Sequence, residues 1–311
     1  MQQTTALTAL QLDRPAYVAI GAFDGVHRGH QALIGEMARR AQAAGRAAVV
    51  ITFYPHPSVF LRGRRPSFYL STPEAKAEYL AALGVDALVT HAFDADFAAI
   101  TAAAYVEQLV RFARLSELWC GADFALGHNR EGNVPYLQAA GARLGFTVNV
   151  RTPVQLDGEI ISSTRVRQCL RDGAVEEAAR ALGRPFRASG VVVAGTQRGR
   201  TLGIPTANLA VSEEHALPAT GVYACRVDLG AGEWAAAVTN IGFRPTFNST
   251  EPHLTLEAHL LDFAGDLYGR TLAVEFVARL RPEQKFAGVA ALVAQIHADI
   301  AAARQRLAAD Q

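Results

Sequence analysis

Gly21-Ala22-Phe23-Asp24-Gly25-Val26-His27-Arg28-Gly29-His30 is the stretch from which the rest of this chain can be read. The residues leading into it, Tyr17 to Phe23, form an apolar strand candidate. The residues after it put Leu33, Ile34, Met37, Ala38 and Ala41 on one helical face. The segment therefore reads as a strand, a tight glycine turn and the first turn of a helix. Such a turn leaves backbone N–H groups without partners at the positive end of a helix dipole, a setting that suits a bound phosphate. His27 and His30 add two short donors, and Gly29 has no side chain to hold a polyphosphate away from the backbone. The glycines do not follow GxGxxG, and no lysine stands where a Walker loop needs one. The bland alternative is a helix cap carrying two surface histidines. Gly21, Phe23, Asp24, Gly29 and the two histidines make up the candidate phosphate site.

The 311 residues suffice for two domains with separate cores. Half the residues are hydrophobic, 19% are charged, and the formal net charge is +1. That balance gives no electrostatic case for nucleic acid, so substrate phosphates must be met by local groups. Cys120, Cys169 and Cys225 are far apart and odd in number, which fits neither a disulfide framework nor zinc spacing and points to a reducing compartment. The N-terminus lacks a basic region followed by an apolar core, and no apolar run reaches about 18 residues. The expectation is a cytoplasmic protein without membrane contact.

Strand and helix alternate through the first half. Gly45 closes the first helix and Ala47 to Phe53 reads as a buried strand, broken by Tyr54-Pro55-His56-Pro57 at its carboxyl end. His56 either lines the site or sits in a proline-stiffened loop, and Arg62, Arg64 and Arg65 form a short basic loop, solvated or in contact with phosphate. Thr72-Pro73-Glu74 starts a helix that ends at Gly84, before a strand from Val85 to Thr90. Asp94 and Asp96 suggest metal ligands but lack a third nearby, so a polar connection is the reading preferred. A helix from Thr101 to Leu115 leads to a strand, Glu117 to Gly121, whose carboxyl end carries Asp123 between glycines. Phe146 to Val150 is the fifth strand. Ile161-Ser162-Ser163-Thr164-Arg165-Val166-Arg167 then opens a helix whose hydroxyls either cap it or cradle a phosphate offset by the arginines. The pattern predicts a doubly wound parallel sheet.

Beyond Arg184-Pro185 the pattern changes to short strands with glycine and proline turns: Gly190 to Ala194, Val222 to Leu229, Ala235 to Ile241, Leu254 to Leu261 and Leu272 to Val277. This predicts a small antiparallel barrel, with a long helix from Phe286 to Leu307 covering one side. The boundary is placed so that residues 1–184 form one domain and 185–311 the other. Gly195, Arg198, Gly199 and Arg200 belong to a glycine-rich basic loop able to wrap phosphates. Thr206 and Asn208, two apart on an extended segment, offer hard oxygens that suit Mg²⁺. Thr255, Glu257 and His259 share one strand face, either as a solvated polar face or as part of a site.

Read together, the two halves resemble the bacterial bifunctional riboflavin kinase/FMN adenylyltransferase family. The resemblance rests on GAFDGVHRGH, ITFYPHP, GADFALG and ISSTRVR in the first half. In the second it rests on RGRTLGIPTANL, GVYA, TNIGFRPTF, LEAHLLDF, DLYG and RPEQKF. It implies that riboflavin and ATP give FMN and ADP, and that FMN and a second ATP give FAD and pyrophosphate. It also implies that His27 and His30 hold ATP phosphates, and that Asp123, Ser162, Ser163, Thr164, Arg165 and Arg167 contact nucleotide and FMN. In the second half it implies a six-stranded barrel in which Thr206 and Asn208 hold Mg-nucleotide and Glu257 acts as base. Leu126, Ile204 and Ala194 depart from the residues usual at those places. A lone nucleotidyltransferase with a regulatory barrel would need neither the Thr206/Asn208 pair nor Glu257, and a flavin carrier could lose His27, His30 and Glu257.

Overall fold

A computed structural model describes residues 1–63, 66–195, 199, 202–244 and 253–309. The chain forms two compact units, Met1–Arg65 with Ser71–Ser162, and Pro66–Leu70 with Ser163–Gln311. The second unit thus begins by packing at Ser163, ahead of the break in sequence pattern at Arg184-Pro185.

The first unit runs β1 (Gln2–Thr4), β2 (Ala16–Ile20), α1 (Arg28–Ala43), β3 (Ala47–Phe53), α2 (Pro57–Arg62), α3 (Pro73–Ala81), β4 (Ala87–His91) and α4 (Ala95–Ala98). It continues through α5 (Ala102–Phe112), β5 (Leu115–Gly121), β6 (Ala125–Leu126), β7 (Gly132–Asn133), α6 (Val134–Leu144), β8 (Thr147–Arg151), β9 (Gln155–Leu156) and β10 (Glu159–Ile160). Six strands make one sheet in the order β1-β4-β3-β2-β5-β8, every neighbouring pair parallel. Both faces are covered, as all-parallel sheets require. Val18, Ile20, Val49 and Ile51 pack with Tyr105, Val106 and Leu109 of α5 on one face. Ala19, Ala48 and Val50 pack with Ile34, Met37, Ala38 and Ala41 of α1 and Leu80 of α3 on the other. From β2 the chain builds outward through β3 and β4 on one side and β5 and β8 on the other. The strand order therefore reverses between β2 and β5, and such reversals open the ligand crevice of doubly wound sheets.

In the second unit α7 (Ser163–Arg171) and α8 (Val175–Leu182) precede β11 (Phe186–Val193), β12 (Ala207–Ala210), β13 (Gly221–Gly230), β14 (Glu233–Arg244), β15 (His253–Leu260), β16 (Thr271–Arg281) and α9 (Val289–Ala309). The six strands close into an antiparallel barrel in the order β11-β12-β15-β14-β13-β16. Alternate residues fill it: Tyr223, Cys225 and Val227 of β13 and Val274 and Phe276 of β16 are fully buried. The ring of Tyr223 meets Phe276 edge-on at 5.4 Å. Ala303 and Leu307 of α9 pack with Val222, Ala224, Val238 and Ala278.

Candidate active sites of the two units

The glycine turn leaves β2 at the point where the strand order reverses. The strand itself stops at Ile20, short of the expected Phe23, because Phe23 and Val26 both take left-handed backbone (φ 46° and 40°). A β-branched residue in that region is strained, and such strain collects where a loop is held for a purpose. Gly21 is required by contact, since a Cβ there would lie 2.9 Å from the Phe23 ring. Gly25 is required by its φ of 77°, and its N–H donates to Ser71 Oγ at 3.1 Å. Gly29 lets the backbone come close: a Cβ would sit 3.1 Å from the His27 ring and 3.7 Å from the carbonyl oxygen of Ile161.

His27 is the N-cap of α1 and is 5% exposed. Its Nδ1 accepts the backbone N–H of His30 at 3.4 Å, which selects the tautomer protonated at Nε2. The two imidazoles stack with centroids 3.6 Å apart and planes 21° from parallel. Phe23 meets His30 edge-on at 5.2 Å. His30 Nδ1 is buried with no hydrogen-bond partner among the described residues. Burial, reinforced by His27 and then Lys76, holds the His30 pKa well below the ordinary imidazole value. His30 is therefore a neutral N–H donor at neutral pH, not a cation. Asp24 is 2% exposed inside the turn. Asp123 follows β5 and is exposed, its backbone carbonyl accepting Arg130 Nη2 at 2.8 Å. Gly21 and Asp123 thus follow the carboxyl ends of neighbouring strands, and Ser162 follows Ile161, whose carbonyl approaches Gly29.

Two residues of this site carry no motif. Lys76 of α3 is buried, and its Nζ donates to the Ala22 carbonyl at 2.8 Å and to Thr52 Oγ1 at 3.2 Å. Ser71 holds Gly25 from the same side. The available signal was a lysine on the apolar face of a helix, at the spacing Lys76, Ala77, Leu80. His56 caps α2, its Nδ1 accepting the Ser58 N–H at 3.0 Å, and Asp94 caps α4 through the Phe97 N–H at 2.8 Å. Among the described residues no group of three acidic, histidine or cysteine side chains could hold a metal.

In the second unit, strand register makes the site. Asn208 of β12 stands opposite Glu257 of β15, and Glu257 stands opposite Asn240 of β14. Leu256, Ala258 and Leu260 are buried while Thr255, Glu257 and His259 keep partial exposure, so the polar trio shares one face. Thr255 Oγ1 donates to the Gly242 carbonyl at 3.0 Å, and His259 Nδ1 lies 2.7 Å from the carbonyl of Pro205, next to Thr206. Gly195 meets the Asn208 amide so closely that a Cβ would lie 2.3 Å from its Nδ2. Gly199 approaches the carbonyl of Ile204 in the same way. Arg198 and Arg200 of this loop, and Arg64 and Arg65 of the other basic loop, lie outside the described residues. Asn240, opposite Glu257, belongs to the Thr239-Asn240-Ile241-Gly242 run, and its place beside Glu257 comes from strand pairing, which a lone amide in sequence does not signal.

Ser163, Thr164, Arg165 and Arg167 stand on α7 in the second unit. Arg167 Nε donates to the Phe68 carbonyl at 2.6 Å, with its guanidinium 4.1 Å over the Phe68 ring. All three cysteines are free. Burial pushes the Cys120 thiol up to about 11 and the Cys225 thiol up to about 12, so neither is a nucleophile.

The parallel-sheet unit and the barrel unit each have a counterpart among known families. Residues 9–165 match the family described as FAD synthetase, and residues 182–307 match riboflavin kinase. The class is thus a FAD synthetase segment followed in one chain by a riboflavin kinase segment. A protein of Pseudomonas fluorescens named bifunctional riboflavin kinase/FMN adenylyltransferase is 42% identical over 306 residues, 98% of this chain and 97% of that one. Its namesake in Escherichia coli K12 is 41% identical over 291 residues, 93% and 91% of the two chains. This chain belongs to the bifunctional riboflavin kinase/FMN adenylyltransferase family. A solved structure from Streptococcus pneumoniae, described as a macrolide-efflux protein, superposes with a TM-score of 0.88 at 30% identity, covering 97% of this chain and 98% of the other. Among the described residues no helix here is long and apolar enough to cross a membrane.

Proposed function

We propose that the two candidate sites divide the reactions of FAD synthesis, residues 1–184 serving adenylyl transfer and 185–311 serving riboflavin phosphorylation. As a member of its family the chain is both a riboflavin kinase and an FMN adenylyltransferase, with ATP and flavins as substrates. The observations that carry the assignment are the stacked His27 and His30 in the glycine turn where the strand order reverses, and the pairing of Glu257 with Asn208 and Asn240 on the barrel. In the barrel Glu257, beside Asn208 and Asn240, accepts the proton of riboflavin's 5′-hydroxyl as that oxygen attacks the γ-phosphorus. The donor set at Thr206 and Asn208 fits Mg²⁺: two neutral hard oxygens on one extended segment, with the Asn208 amide packed against Gly195. When bound, the ion offsets charge on the phosphates being transferred. Gly195, Arg198, Gly199 and Arg200 contact the nucleotide phosphates.

In the sheet unit the FMN phosphate is already anionic and needs no base. His27 and His30 donate to the α-phosphate and the departing pyrophosphate, joined by the N–H groups that open α1. Gly21, Phe23, Asp24, Gly29, Asp123 and Ser162 shape that nucleotide site. Ser163, Thr164, Arg165 and Arg167 contact nucleotide or FMN phosphate. We place the enzyme in the cytoplasm, with no nucleic-acid partner. A chromatographic time course with riboflavin and ATP tests the whole reading. FMN should appear first and FAD after it, with ADP and pyrophosphate released. Absence of FAD from added FMN and ATP would remove the adenylyl-transfer assignment, and absence of FMN would remove the kinase assignment.

A further inference from the structure

Of the 30 lysine and arginine residues only Lys76 and Lys285 are lysine. One of the two is buried beneath the phosphate turn, 7% exposed. Its acceptors are neutral: the Ala22 carbonyl and the hydroxyl of Thr52, a residue 1% exposed that itself donates to the same carbonyl at 3.0 Å. With Ser71 holding the Gly25 N–H, the start of α3 grips the turn at both ends. A neutral amide could satisfy both acceptors of Lys76, and an ammonium out of water costs several kcal/mol unless it is compensated. The compensating charge is that of Asp24, a carboxylate in the same turn and 2% exposed. The remaining titratable groups on that side are His27 and His30, and His30 is held neutral by burial, His27 and Lys76. The lysine is thus a cation candidate at this turn, while His30 is not. A compact ammonium suits the place, where the fork of an arginine would demand a wider planar cavity.

We propose that Lys76 is a positioning residue for adenylyl transfer, a fixed positive charge under the turn that anchors the Ala22 carbonyl and stabilises charge developing on the departing pyrophosphate. This rests on the reading that the turn holds the phosphates of ATP. Burial lowers the Lys76 pKa and the Asp24 carboxylate opposes that effect. Lys76 in turn keeps His30 an N–H donor, and its loss lets that ring take a proton at higher pH.

The test uses the full chain labelled with [ε-¹³C]lysine, which gives two resonances, assigned with Lys285→Arg. Lys76 should be an ammonium at pH 7.5 and its resonance should move when inorganic pyrophosphate is added. A neutral Lys76, or a resonance that pyrophosphate leaves in place, overturns the proposal without any variant. Lys76→Gln keeps donors for both acceptors but not the charge, and Lys76→Met keeps neither. Both should lower the rate of FAD formation from FMN and ATP by about 10- to 100-fold, with the KM for FMN changing less than about threefold. The His30 titration midpoint, read by NMR, should rise in both. A cooperative urea transition of the sheet unit, followed by the buried Trp119 in a Trp234→Phe background, shows that the variants are folded. A Lys76→Gln rate within threefold of wild type, or an unmoved His30 midpoint, reduces the lysine to a hydrogen-bonding brace. A wild-type enzyme that makes no FAD from FMN would fail the underlying reading of the turn instead.

Discussion

Asn208 and Glu257 stand directly opposite each other on neighbouring barrel strands, with Asn240 opposite Glu257 on its other side. Directly paired residues hold their Cβ atoms about 5 Å apart, within reach of one small polar substrate group. Glu257→Gln keeps the size of the side chain and removes its ability to take a proton. Riboflavin kinase turnover should fall by about 10²–10⁴ while riboflavin binding changes little. Adenylyl transfer to added FMN should be untouched. Turnover within about threefold of wild type would make Glu257 a solvated residue, and steady-state assays of the two half-reactions decide the matter.

His30→Ala removes the neutral donor stacked on His27. FAD formation should drop by roughly two orders of magnitude, as for loss of a transition-state donor. FMN formation should persist. Equal loss of both activities in a folded variant would show that the turn does not serve adenylyl transfer alone.

His30 also sets a pH dependence of stability. Its folded pKa lies well below the unfolded value near 6.5, so below that pH the unfolded chain binds a proton that the folded chain refuses. Stability of the sheet unit should therefore rise with pH up to about 6.5 and level off above it. One such proton contributes at most about 1.4 kcal/mol per pH unit. His91, lowered chiefly by burial, acts in the same direction. His30→Gln should flatten the slope between pH 5 and 6.5 without abolishing it. Urea unfolding followed by the buried Trp119, in a Trp234→Phe background, reads this unit, and an unchanged slope would mean that His30 titrates normally.

Packing argues for a longer kinase fragment than the sequence break suggests. Leu170, Val175, Ala178, Ala181 and Leu182 of α7 and α8 are buried, and the Ala219 N–H donates to the Leu170 carbonyl at 2.8 Å. Arg279 of β16 donates to the carbonyls of Asp172 at 3.2 Å and Thr220 at 2.9 Å. Removing the two helices forfeits about 1.5–3 kcal/mol for each large apolar side chain they bury. Residues 163–311 should be soluble and convert riboflavin to FMN. Residues 185–311 should show a lower urea midpoint and a greater tendency to aggregate. Equal midpoints would make the two helices dispensable. Neither fragment carries the Pro66–Leu70 strap, so the comparison is unaffected by it.

Most of the fold was legible because its strands obey simple periods. The alternating burial of β15 and the apolar faces of α1 and α5 are patterns that a sequence displays directly. Of the strands in the six-stranded sheet and the barrel, two were not legible. β1 is three residues long, too short for alternation, and is defined by its parallel pairing with β4. β12 follows a proline turn and is fixed by its partners β11 and β15, so only its extended character could be read. The last helix begins at Val289, three residues after the expected Phe286, because Ala287-Gly288 is a poor helix start. In the candidate sites the glycines and histidines announced themselves by spacing. Lys76 and Ser71 did not, since their roles arise from α3 crossing under a turn some fifty residues earlier, a tertiary fact.

The closure of the barrel has a consequence for self-association. Among the described residues the ring of strands is closed, so it presents no edge strand to template another chain. The sheet has two open margins. At one, β1 presents three residues, too few to seed a stable foreign pairing. At the other, β8 presents Thr147–Arg151 with its terminal arginine exposed, a charged margin that repels a second copy of itself. Its parallel pairings must also form between distant parts of the chain, which makes the sheet unit the slower to assemble and the more exposed to misassociation while it does.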